Sequence, residues 1–144
     1  MMNKPESLRK ALSDGIEYLG KNPDKLHIFV DEGAVVSSLA PTISFEYQYT
    51  LNLVITDFSA DQNLLNAVIL YWLRRNQPDI MANPDSRDKG FTFEVDILNN
   101  TTCDISINLK LTERVIVKEE GGQMVVEAVP EPEPPYPDLW APNE

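Results

Sequence analysis

A chain of 144 residues, 42% hydrophobic and 24% charged, is long enough to bury one core without disulfides or metals. Twenty-three acids against twelve bases give a formal charge of −11. Such a chain repels phosphate backbones and anionic lipid, which argues against nucleic-acid or membrane partners. The single cysteine, Cys103, allows no intrachain disulfide, and no run approaches the roughly 18 apolar residues of a membrane span. The opening MMNKPESLRKALSDG lacks the apolar core of a signal peptide, so a soluble cytosolic product is expected.

Leu8, Ala11, Leu12, Ile16 and Leu19 recur at helical spacing and predict a helix over 5–20, with Pro5 in its first turn and Gly20 as its stop. Asn22-Pro23-Asp24 reads as a turn and 26–30 as a short strand. Asp31-Glu32-Gly33 reads as a hairpin turn into 34–36, with a loop up to Thr42. The strongest signal follows. Ile43, Phe45, Tyr47, Tyr49, Leu51, Leu53 and Ile55 alternate with polar residues, which predicts a half-buried strand longer than the usual five or six residues. A strand of that length is either one arm of a long hairpin or a projecting element that pairs subunits.

Ser59-Ala60-Asp61-Gln62 fits a capping box for a helix reaching about Asn76. Its inward stripe is Leu64, Leu65, Val68, Ile69, Trp72 and Leu73. Residues 78–90 read as a polar loop. Alternating strands follow at 91–97 and 105–111, the second bending near Glu113 and continuing through Val117. Gly121-Gly122 then turns the chain into a strand at 124–129. These elements define a single α+β domain over 1–129, a mainly antiparallel sheet packed against two helices. Residues 130–144, PEPEPPYPDLWAPNE, hold six prolines in fifteen residues. They form neither helix nor central strand and read as an extended acidic arm with Tyr136, Leu139 and Trp140 as apolar anchors.

Catalytic patterns are sparse. His27 is the only histidine, and no GxSxG, CxxC, HExxH, calcium-loop, Walker or GxGxxG spacing occurs. No cofactor or metal is expected. Glu94 and Asp96 share the polar face of one strand, roughly 6–7 Å apart by strand geometry. Glu46 could approach them, but nothing in the sequence around them would raise one pKa to set up an acid/base pair.

Several segments, MNKPESLRKAL, LHIFVDEG, FEYQYTLNLVITDF, DQNLLNAVILYWLRRNQPD, FTFEVDILNN, CDISINLKLTERVIV and EAVPEP, together resemble the tail-completion protein R family of contractile-tailed temperate phages. The likeness runs through nearly the whole chain in order. It implies a non-enzymatic structural part that caps the tail at its head-proximal end and enables head–tail joining. It also implies a subunit like those of tail terminators, which form hexameric rings on the tail tube, although a neck adaptor is left open. The partners would be further copies of the chain, the tube protein and the neck or head-completion proteins. On this reading Tyr47, Tyr49 and Asn52 shape a subunit interface, and Tyr136, Leu139 and Trp140 dock on a neighbour. Glu94, Asp96 and Asp104 face a lumen or polar surface. The rivals are a tail-associated carboxylate hydrolase and a monomeric assembly chaperone.

Overall fold

The computed structural model describes residues 2–37 and 43–130, without the side chains of Ser86 and Arg87. The expected α+β architecture is present. Five strands, β1 (Leu26–Val36), β2 (Phe45–Phe58), β3 (Phe91–Ile97), β4 (Cys103–Glu120) and β5 (Gln123–Val129), make one sheet in which every pairing is antiparallel. The order is β1-β2-β4-β3, and β5 also pairs with β4. Strand β4, 18 residues long, is the spine. One of its sides holds β2, and the other holds β3 at Cys103–Leu109 and β5 from Arg114 onward.

Alternation decides which face is covered. Leu51, Leu53, Ile55, Ile105, Ile107, Leu109 and Leu111 are buried against Leu8, Leu12, Leu65, Ile69, Trp72 and Leu73 of the helices. Trp72 lies on the inward stripe, as its spacing predicts, and its indole N–H donates to Ser7 Oγ at 2.9 Å. The intervening residues of β2 and β4 face away from the helices.

Local reading departs from the structure in five places. The first helix is two, α1 (Lys4–Gly15) and α2 (Glu17–Lys21), because Ile16 leaves helical geometry at φ −127° and turns into the core. A Cβ on Gly20 would lie 2.7 Å from the Ser13 carbonyl oxygen, so only glycine allows this close return. The expected turn at Asp31-Glu32-Gly33 is a bulge within one continuous strand. Asp31 pairs with Thr50 and Ala34 with Gln48, so β1 spends one extra residue and Glu32 sits at φ 52°. The cap of α3 (Gln62–Asn76) is Asp61 rather than Ser59, its carboxylate accepting from Asn63 N–H at 2.8 Å. The 78–90 segment contains two short helices, α4 (Asp79–Ala82) and α5 (Pro84–Arg87). Finally, β4 runs through Glu113 without a break because β2 pairs with it as far as Val115. The glycine turn forms as expected, with Gly121 and Gly122 at φ 60° and 80°.

One gap in the sheet is closed by side chains. Strand β3 starts at Phe91 opposite Leu109 and β5 finishes at Val129 opposite Arg114, leaving Thr112 without a strand on that side. Gln77, 1% exposed, fills the place: its Oε1 accepts from Thr112 N–H at 2.9 Å and its Nε2 donates to Thr112 Oγ1 at 3.0 Å. The Lys4 ammonium donates to Gln77 Oε1 and to the Thr112 carbonyl oxygen, both at 2.6 Å. The start of α1 and the end of α3 are thereby fastened to the middle of β4.

Candidate assembly surfaces

The face of the sheet turned away from the helices is open. Asn52 lies at its centre, half-buried, with Nδ2 donating to Asn108 Oδ1 at 2.8 Å and to Ser106 Oγ at 3.1 Å. Glu94 stands opposite Ser106 and Asp96 opposite Asp104, so the three acids singled out in the sequence gather on this one face. Like charges directly opposite one another weaken a sheet. Asp104 is partly compensated, accepting from Asp57 N–H at 2.9 Å where β2 bulges and Asp57 adopts φ 52°.

Tyr49 lies on the other face, in the core, with its hydroxyl donating to Glu113 Oε2 at 2.8 Å. Burial, reinforced by the Glu113 hydrogen bond and charge, pushes the phenol well above the ordinary tyrosine pKa. Tyr47 is half-buried on the same side, stacked edge-on against Phe45 with centroids 5.1 Å apart. The structure thus separates the three interface candidates, with Tyr49 in the core, Tyr47 at its margin and Asn52 on the open face. Tyr136, Leu139 and Trp140 lie outside the described residues, as does most of the loop before Thr42.

Tyr47 lines a groove of about 360 Å³ at the end of the helix layer. Met2, Tyr47, Val115 and Ala128 give it apolar wall, and Lys4, Arg75 and Arg114 outnumber Glu113 among its charged residues. Its residues come from α1, β2, α3, β4 and β5, a set that no linear spacing could have revealed. A second depression of about 400 Å³ lies beside the Gln77 plug and carries charges of both signs, including Asp79, Asp85, Lys89 and Lys110.

The sheet margins are apolar as well. Among the described residues no strand pairs with the outer edge of β1, β3 or β5. Phe29, Val35 and Val36 are exposed on β1, Phe93 and Ile97 on β3, and Met124 and Val126 on β5. Native sheets ordinarily protect such edges with charge, proline or cover. No helix among the described residues is long and apolar enough to cross a membrane.

An open sheet face, apolar margins and a groove walled by five elements are the equipment of a subunit that works by contact with other proteins. The family described as P2 phage tail completion protein R matches residues 2–132. The Tail completion protein R of Escherichia phage P2 is 52% identical over 136 residues, covering 94% of this chain and 88% of that protein. The chain belongs to the P2 phage tail completion protein R family, a structural family of tail assembly. No solved structure matches it.

Proposed function

We propose that this chain completes the phage tail at its head-proximal end, assembling as a ring, most simply a hexamer, on the last ring of the tube. The finished ring then offers the surface that neck or head-completion proteins join. Assembly takes place in the bacterial cytoplasm, and the protein stays in the virion tail. Binding is its whole activity.

The observation that carries this reading is the pair of apolar sheet margins, β1 on one side and β3 with β5 on the other. Contacts between opposite margins of identical subunits are head-to-tail, and they make a ring where the rotation between subunits closes. The open face supports it further. Six copies at −11 carry about −66 formal charges, and Glu94, Asp96 and Asp104 facing a lumen would repel the phosphates of a passing genome.

Native mass spectrometry of the chain mixed with tube protein, together with imaging of tail ends, tests the proposal. A multimeric ring at one end of completed tails is expected, even if the free chain is monomeric. One copy per tail would overturn the ring, and absence from purified particles would make the protein an assembly chaperone instead.

A further inference from the structure

We infer that the groove between the start of α1, the end of α3 and the root of the β4–β5 hairpin is the seat for the C-terminal arm of a second copy of this chain. The inference rests on the self-association proposed above and names the contact that would carry it.

The place where the chain leaves the fold is the first argument. Ala128, Val129 and Pro130 form part of the groove's own wall, so each arm starts at the rim of its own groove. Prolines at 130, 132, 134, 135 and 137 restrict the arm's first residues. At roughly 3.1 Å per residue of extended polyproline, Tyr136 is carried about 19 Å from Pro130. The groove's 360 Å³ corresponds to a space roughly 7 Å on a side. An arm stiffened in this way would carry Tyr136 beyond the groove beside which it starts, putting Tyr136, Leu139 and Trp140 within reach of a neighbour.

Charge is the second argument. On a chain at −11, Lys4, Arg75 and Arg114 against Glu113 make a local excess of two positive charges. The arm carries Glu131, Glu133, Asp138 and Glu144 and no base. The Lys4 ammonium already bonds Gln77 and Thr112, so it supplies field rather than a contact. Arg114 can supply one: its side chain is 68% exposed, and its ion pair with Glu46 is long, at 4.0 Å.

The third argument is the apolar strip that prolongs the groove. Val115 pairs with Ala128, Val117 with Val126 and Glu119 with Met124, so these residues of β5 project to the face on which Val115 and Val117 are buried. Val126 is 62% and Met124 69% exposed. Beyond the helices nothing described covers them, and the strip matches in character the anchors of an arriving arm. Proline stiffness also lowers the entropy lost when such an arm docks.

Photo-crosslinking in the full-length chain tests the inference. Trp140 is replaced by benzoylphenylalanine, unlabelled and nitrogen-15 copies are mixed, and products are mapped by mass spectrometry, both free and on assembled tails. Mixed-isotope crosslinks into the segments holding Tyr47, Val115 or Ala128 are expected on tails. Arg114→Glu, at an exposed position, and Val126→Asp should each lower their yield about tenfold, whereas Lys10→Glu on α1 should not. Crosslinks within one copy, crosslinks only to other surfaces or other tail proteins, or a yield indifferent to Arg114→Glu would overturn it. If rings are imaged on tails while any of these results holds, the arm's seat is wrong and the ring stands. Single copies on tails would defeat the ring itself.

Discussion

Replacing Gln77 by Ala probes a place where the sheet is completed by side chains instead of a strand. The truncation removes the acceptor of Thr112 N–H, one acceptor of the buried Lys4 ammonium, and the donors to Thr112 Oγ1 and Asp79 Oδ1. A buried polar group left without its partner costs about 1–3 kcal/mol, more when charged. Thr112 N–H loses its acceptor outright, Lys4 keeps the Thr112 carbonyl oxygen and loses only one of its acceptors, and Asp79 reaches solvent. The expected destabilisation is therefore about 1–3 kcal/mol, a sizeable share of the roughly 5–15 kcal/mol of a typical domain. Urea unfolding of wild type, Gln77→Ala, Lys4→Ala and the double variant measures it, with the slope checking that the unfolding remains two-state. The double variant should be less destabilised than the sum of the singles, because once Gln77 is gone less remains for Lys4 to lose. A loss below about 0.5 kcal/mol for Gln77→Ala, or additivity within about 0.5 kcal/mol, would refute the plug.

Trp72→Ala should cost about 3–5 kcal/mol, since it empties a large buried site and leaves Ser7 Oγ without its donor. Thermal unfolding measures this, and an unchanged Tm with failed tail completion would make Trp72 an interface residue instead. Tyr49→Phe should alter the response to alkali. The folded phenol titrates above its unfolded value of about 10, so its contribution to stability is complete below pH about 10 and is lost as pH rises above that. Urea unfolding at about pH 8 and pH 11 should show a smaller alkaline loss in Tyr49→Phe than in wild type. Equal losses would contradict the assignment.

Much of this fold follows from the order of residues. The alternation from Phe45 to Ile55 is enforced by a period that puts every second side chain on one face, so Tyr49, Leu51, Leu53 and Ile55 could be named without coordinates, though not Phe58 beyond the bulge. Leu65, Ile69, Trp72 and Leu73 of the expected stripe, and the paired glycines at 121 and 122, are equally local facts of geometry, whereas Leu64 of that stripe is exposed. The acids Glu94, Asp96 and Asp104 share one face for the same reason, with the antiparallel register adding that Asp96 and Asp104 stand opposite.

Tertiary structure decided what depends on a partner. Asp31-Glu32-Gly33 has the composition of a turn, yet β2 is long enough to pair on both sides of it, and a bulge takes up the extra residue. Ile16 sits in a helical pattern, but the core claims its side chain and breaks the helix. The alternation places Tyr49 on the apolar face, but only the fold shows that Glu113, 64 positions away, accepts its hydroxyl. Hydrogen bonds at the groove and the Gln77 plug joined residues 35 to 110 positions apart, Gln77 to Thr112, Lys4 to Thr112 and Asn3 to Glu113. A sequence period fixes which face a side chain takes, because that is a property of one strand or helix. Which strands end where, and what fills the space between them, is a property of the packed whole.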